Sequence, residues 1–407
     1  MLDRIRPRAV LVGALLVIPA VLAAAVPASA AGLGGPSASA LASASPAASP
    51  VARAIGGPQL AARGVVVNYP PGTMPRLPNV AASAFVIADA STGQVLAAKD
   101  PHGWYRPAST LKVLTAVALI PVLNPDSTVV ASKQATSTVP NVVGLVTGRA
   151  YQISDLFTAL LTISANDAAI ALTQATGSFS QGVALINAEA RHLQADDTVA
   201  VDPNGLDAPG QHTSAYDLAL IARQALKLPA FLQYNRITGQ RFVVARRKAV
   251  ELYNQNTLLV TYPGAVGGKI GWTSAAGATY VGMATRHGVT LIVTLLHCPA
   301  LTEIKSAEKL LNWGFAADGK VAAAGILVGP LQPPSASPSA SPAAAAPPPR
   351  AVVASGSHGE AGPSVLAAIG FSCAAVLAVV LGFSYNRRHR LRASRSDSTA
   401  PSARDHL

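Results

Sequence analysis

Arg106-Pro107-Ala108-Ser109-Thr110-Leu111-Lys112-Val113-Leu114 marks the point where the chain changes its hydrophobic period. Upstream, Ala84 to Ala88 and Gln94 to Ala98 are short apolar runs around Asp89-Ala90-Ser91-Thr92-Gly93, whose Asp and Gly suit a hairpin loop. Downstream, the apolar residues from Ser109 through Ile120 predict a helix. Helical spacing continues with Asn, Asp and Gly punctuation over Ile153 to Leu226, as in Leu156, Leu160, Leu161 and Ile170. Strand signals return at Thr279 to Thr285 and Val289 to Leu296, separated by Arg286-His287-Gly288, and an amphipathic helix closes the region over Thr302 to Phe315. Strands at both ends with helices inserted between them predict an α/β domain whose first and last strands share one sheet.

The flanks read differently. Residues 1–30 have the pattern of a secretory signal: Arg4, Arg6 and Arg8 begin it, Ala9 to Val26 is apolar, and Ala28-Ser29-Ala30 is a small-residue cleavage site. Residues 31–64 are rich in Ala, Ser, Gly and Pro, and residues 331–363 repeat Ser-Ala-Ser-Pro-like units, a composition that does not build a core. The expected folded domain is therefore 65–330. Beyond the second linker, Val365 to Phe383 carries no charge and is followed by Arg387, Arg388, Arg390, Arg392 and Arg395. This predicts a transmembrane helix over 364–385 and a basic cytoplasmic tail over 386–407, with the domain on the outer side of the membrane. A Pro-rich stalk rising about 3 Å per residue would hold the domain up to ~100 Å from that membrane.

Much of the net charge of +12 sits in these two topology segments, so it gives little argument for nucleic acid as a partner. Only Cys298 and Cys373 are present, one in the domain and one in the expected spanning helix, which leaves neither a disulfide framework nor a thiolate metal site.

Three short stretches carry candidate chemistry. In Ser109-Thr110-Leu111-Lys112 the serine and lysine lie three apart, on one helical face, so the amine can reach the hydroxyl. The helix start favours a developing oxyanion, and a lysine of depressed pKa can activate the serine. The same residues also fit an N-cap serine with a surface lysine, and Ser306-Ala307-Glu308-Lys309 repeats the spacing inside the closing helix. Ser164-Ala165-Asn166 places polar side chains between the apolar runs Leu160 to Ile163 and Ala168 to Leu172, where they either enter a cleft or cap the next helix. Ser384-Tyr385-Asn386 shares this spacing too. Finally, Gly267-Gly268-Lys269-Ile270-Gly271-Trp272-Thr273 reads as a glycine-lined strand against which a ligand can lie, with Lys269 available to a carboxylate.

Taken in order, the three stretches resemble the motif series of penicillin-binding proteins and serine β-lactamases. Further phrases resemble the low-molecular-weight D-alanyl-D-alanine carboxypeptidases: Ser164 to Ala169, Asp202-Pro203-Asn204-Gly205-Leu206-Asp207, Ser214 to Ala219, and Leu310-Leu311-Asn312-Trp313-Gly314-Phe315. The resemblance implies a β-lactamase/transpeptidase-like α+β fold: an antiparallel sheet flanked by helices, with an inserted helical region. It further implies that Ser109 attacks the penultimate D-Ala carbonyl of a peptidoglycan stem peptide and that Lys112 takes the proton. Ser164 and Asn166 would assist catalysis, while Lys269, Ile270, Gly271, Trp272 and Thr273 would bind substrate. The backbone N–H groups of Ser109 and Trp272 would form the oxyanion hole. β-Lactam antibiotics become expected covalent inhibitors, with no metal or organic cofactor.

One position departs from the pattern. The family usually has a hydroxyl residue between the lysine and the glycine, where this chain has Ile270. Loss of one hydrogen bond to a charged group costs about 1.5–3 kcal/mol, roughly a ten- to hundredfold loss in rate, unless Thr273 or Ser274 substitutes. Three activities stay open at this stage: a carboxypeptidase, a related endopeptidase or β-lactamase, and a catalytically weak wall-binding protein. A Glu-x-x-Asn match at Glu251 is read as coincidence.

Overall fold

The computed structural model describes residues 54–72 and 74–332. The signal-like segment, the second linker, the expected transmembrane helix and the basic tail lie outside the described residues. Among the described residues no helix is long and apolar enough to cross a membrane.

The strands are β1 (Val65–Val66), β2 (Ala84–Asp89), β3 (Gln94–Lys99), β4 (Thr128–Val130), β5 (Ala150–Gln152), β6 (Gly239–Ala245), β7 (Lys248–Tyr253), β8 (Ala265–Thr273), β9 (Gly277–Arg286), β10 (Val289–Cys298) and β11 (Gly325–Ile326). The helices are α1 (Leu111–Leu119), α2 (Lys133–Thr136), α3 (Ile153–Thr162), α4 (Asn166–Gln174), α5 (Phe179–His192), α6 (Ala215–Ala225), α7 (Pro229–Asn235), α8 (Leu258–Thr261) and α9 (Glu303–Ala317). Seven strands form one antiparallel sheet in the order β1-β3-β2-β10-β9-β8, with β11 also pairing with β3. The first hairpin thus pairs with the last through β2 and β10, as the sequence pattern predicts.

Alternation along β2 explains why it sits at the centre. Val86 and Ala88 enter a core cluster shared with α1, α3, α4 and α6, whereas Phe85 and Ile87 enter a second cluster shared with α9. All six residues of β2 are buried, because helices cover both faces of the sheet. The turn after β2 is fixed by Asp89, whose Oδ1 accepts from the backbone N–H groups of Ser91 and Thr92 at 2.6 and 2.9 Å. An antiparallel sheet flanked by helices, with helices inserted between its first and last strands, is the α/β arrangement the sequence pattern predicts.

The ordered domain begins earlier than the composition of residues 31–64 suggests. Leu60 is fully buried in the larger cluster, and Ile55 offers its carbonyl oxygen to His102 Nε2 at 3.0 Å. Low-complexity composition hid this segment, since its contribution is one leucine and backbone hydrogen bonds.

Candidate active site

Ser109 lies in a single 3-10 turn, Ala108–Thr110, that runs directly into α1. This turn rests on β8 and β9: Thr279 of β9 donates its hydroxyl to the Pro107 carbonyl at 2.8 Å. Gly271 is required opposite it, because a Cβ there would approach the Ser109 nitrogen to 2.7 Å. Neither Ser109 nor Asn166 caps a helix through its side chain, which removes the capping alternative for both.

Lys112 is fully buried on α1. Its Nζ lies 3.0 Å from Ser109 Oγ, 2.7 Å from Asn166 Oδ1 and 2.5 Å from the Asn204 carbonyl oxygen. Burial holds its pKa well below the ordinary lysine value, and the charge of Lys269 lowers it further, against opposing contributions from Asp202 and Asp167. The geometry has a direct consequence. A neutral amine has two N–H donors and one lone pair, and two of its three neighbours are carbonyl oxygens, which only accept. With both donors committed to Asn166 and Asn204, the lone pair faces the Ser109 hydroxyl.

Ser164 and Asn166 bracket the start of α4. Asn166 Nδ2 donates to the Pro140 carbonyl at 2.5 Å, and Asn141 Nδ2 donates to the Ile163 and Ser164 carbonyls at 2.7 and 3.0 Å. Asp167 secures the neighbouring wall by accepting from the N–H groups of Val143, Gly144 and Leu145 at 2.9–3.0 Å. Ser164 has φ +63°, a left-handed conformation uncommon for serine, and its buried Oγ has no hydrogen-bond partner among the described residues. Ala108, directly before the nucleophile candidate, also has positive φ, at +47°. Strained backbone beside both serines fits a site held in place by its surroundings.

Lys269 is buried on β8, and its Nζ donates to the Ile270 carbonyl at 2.8 Å. Burial lowers its pKa to about 7. Ile270, Gly271, Trp272 and Thr273 line, with Ser109, Ser164 and Asn166, one cleft of about 520 Å³. Of Thr273 and Ser274, the structure places Thr273 in the cleft, its Oγ1 donating to Asp207 Oδ1 at 3.1 Å, whereas Ser274 is exposed beyond it. Ser306 and Lys309 sit on α9, which packs with the second core cluster on the far face of the sheet. Glu251 is exposed on β7 and does not line the cleft.

Asn204 and Gly205 carry no role in the motif pattern. Asn204 acts through its carbonyl, which no side-chain pattern reports. Gly205 has φ +84°, and a Cβ there would overlap the Ala108 carbonyl oxygen. Asn141, Gln255, Leu301 and Glu303 also line the cleft and come from loops and helix starts distant in sequence.

With this geometry in place, the family model described as D-alanyl-D-alanine carboxypeptidase matches residues 72–299. The chain belongs to that family. D-alanyl-D-alanine carboxypeptidase DacB2 of Mycobacterium tuberculosis is 39% identical over 253 residues, spanning 61% of this chain and 86% of that protein. DacD of Salmonella typhimurium is 33% identical over 263 residues, spanning 59% of this chain and 64% of its own length. Among solved structures, the D-alanyl-D-alanine carboxypeptidase of Mycobacterium tuberculosis matches with a TM-score of 0.60 at 38% identity, covering 65% of this chain and 99% of that one. A mutant of a Streptomyces DD-transpeptidase matches with a TM-score of 0.56 at 26% identity, covering 59% and 99%. The chain is a serine-type D-Ala-D-Ala carboxypeptidase by this membership.

Proposed function

We propose that Ser109 is the nucleophile of this carboxypeptidase and Lys112 its base, acting on the terminal D-Ala-D-Ala of peptidoglycan stem peptides. The observation that carries the assignment is the surroundings of Lys112 Nζ: two acceptor-only carbonyl oxygens and the Ser109 hydroxyl. In acylation, Ser109 Oγ bonds to the penultimate D-Ala carbonyl carbon while its proton passes to Lys112. The peptide C–N bond then breaks, and the leaving D-Ala amine takes the proton held by Lys112, relayed through Ser164, whose Oγ has no other partner among the described residues. Water attacks the ester carbonyl carbon and gives a proton to the same lysine; the acyl C–Oγ bond then breaks, Ser109 takes that proton back, and the shortened peptide leaves. The Ser109 and Trp272 N–H groups receive the oxyanion, supported by the close approach of Gly271 to Ser109. Lys269 sets the local positive field for the terminal carboxylate.

The same chemistry makes β-lactams covalent inhibitors at Ser109. The arginine-rich start, the uncharged run Val365 to Phe383 and the arginines after it support an exported protein tethered by its C-terminal segment, with the catalytic domain on the wall side. Incubation of the purified protein with a labelled penicillin is expected to label Ser109, and a peptide ending in D-Ala-D-Ala is expected to release free D-Ala. Wild-type protein that takes no label defeats the acyl-enzyme assignment, and labelled protein that releases no D-Ala defeats the substrate assignment.

A further inference from the structure

The cleft does not end at Ser109. On β8, Lys269 and Gly271 face the serine, and the intervening Ile270 and Trp272 leave the opposite face of the strand. Their cross-strand partners are Tyr280 and Ala278, and Ala278 in turn faces Cys298 at the end of β10. The chain then passes through Ala300 and Leu301 into α9, so the cleft continues around the β8 edge to Glu303.

Glu303 is 92% buried, its residue exposure being 8%. Its Oε2 is sealed from solvent with no hydrogen-bond donor among the described residues. A place in the first turn of α9 accounts for an acidic residue there through the helix dipole, but not for its burial against a cleft. The nearest basic residue on the helix, Lys305, pairs instead with Glu308 at 2.7 Å. A buried carboxylate without a donor is costly, and a ligand that supplies one removes the cost.

The walls leading to it are apolar. Trp272 is 61% exposed and Leu301 is 92% exposed, and with Ile270 and Ala278 they would cover methylene groups rather than a second carboxylate. Aliphatic walls ending in a carboxylate fit an alkylammonium group.

We propose that Glu303 is a specificity-determining residue that seats a side chain of the stem peptide ending in a primary ammonium, and so selects among peptide substrates. The inference rests on the carboxypeptidase assignment above.

Two peptides ending in D-Ala-D-Ala test this, both carrying lysine before the D-Ala pair, one with a free ε-amine and one with that amine acetylated. D-Ala release gives kcat/KM for each. Competition against labelling of Ser109 by penicillin gives relative binding without requiring turnover. Wild-type protein is expected to prefer the free amine by about tenfold in both readouts, the size of one charge-assisted hydrogen bond, and Glu303→Gln is expected to bring the ratio close to one. Equal use of the two peptides by wild type overturns the proposal without touching the carboxypeptidase assignment. A full preference retained by Glu303→Gln also overturns it. Labelling of Ser109 with competition by neither peptide overturns both readings together. Because the wild-type comparison needs no mutation, a Glu303 variant that fails to fold leaves the proposal open to refutation.

Discussion

Lys112 and Lys269 are two buried amines that influence each other, and their titration links catalysis to stability. The charge of Lys269 helps to hold the Lys112 pKa down. Lys269→Met removes that charge, so the rise of Ser109 acylation with pH, followed by labelled penicillin, is expected to move to higher pH, while Lys269→Arg keeps it nearer its original position. A rise at unchanged pH in Lys269→Met would show that the two amines are not coupled. Stability moves in a definite direction. Lys269 has a pKa of about 7 in the folded chain against 10.5 for the ordinary group, so between those values the unfolded chain binds more protons and stability increases with pH. Chemical denaturation of Lys269→Met is expected to lose the part of that slope that Lys269 contributes, with Lys112 keeping its own, and to give a chain more stable at neutral pH by a few kcal/mol. At the neighbouring residue, Ile270→Thr restores a hydroxyl to the cleft and is expected to raise turnover of a D-Ala-D-Ala peptide by about tenfold. A fall, or no change, would mean that Thr273 already supplies the contact and that the site is adapted to isoleucine.

The turn from Asp202 to Leu206 is the element that the motifs pass over. Asn204 is held twice, its N–H donating to Asp202 Oδ1 at 2.7 Å and its Oδ1 accepting from the Leu206 N–H at 2.8 Å, which aims its carbonyl at Lys112. Pro203 adds an acceptor for Thr115 of α1 at 2.7 Å. Gly205 lets the turn pass against the nucleophile's backbone at a φ that other residues rarely adopt. Gly205→Ala is therefore expected to lower stability by at least about 2 kcal/mol and to slow Ser109 acylation more than tenfold even in the folded fraction. Wild-type labelling by this variant would show that the turn is a bystander. The contrast with β2 and β3 shows what a sequence exposes. The hairpin over Ala84–Asp89 and Gln94–Lys99 was legible because alternation and the Asp-to-Gly loop are side-chain signals. Ser109, Ser164 and Lys269 were legible as candidates through the order of their three stretches, since the spacings of the first two recur at Ser306 and Ser384. The Asn204 carbonyl was not, because its role belongs to the backbone, and Glu303 was not, because only the pairing of β8 with β9 and β10 carries it to the cleft.

At the scale of the domain, the two ends of the described region close on each other along one edge of the sheet. Ile326 donates its N–H to Gly56 at 2.8 Å, Leu327 donates to Gly93 at 2.7 Å, and β11 adds to β3. Tyr216 and Arg223 of α6 reach across to the Ile326 and Leu327 carbonyls at 2.7 and 2.9 Å, and Leu327 is 1% exposed. The sequence pattern ended its recognisable elements at Phe315, since a two-residue strand has no periodicity to detect. None of these closing residues lines the cleft. A chain truncated after Ala323 loses the burial of Leu327, worth about 1.5–3 kcal/mol, and leaves the Tyr216 hydroxyl without its acceptor at about 1–3 kcal/mol, while Arg223 keeps the Ala90 and Ser91 carbonyls. Compared with a chain ending after Gln332, it is expected to be less stable by at least about 2.5 kcal/mol in denaturant unfolding, a large share of an ordinary domain's total of about 5–15 kcal/mol. At temperatures where both chains are folded, the rate of penicillin labelling is expected to match, because the closure supports the sheet and leaves the Ser109 turn in place. Equal unfolding midpoints would mean that β2, β3 and β10 hold the sheet edge without the C-terminal strap, and a slower labelling rate in the folded state would mean that the strap reaches the site through α6.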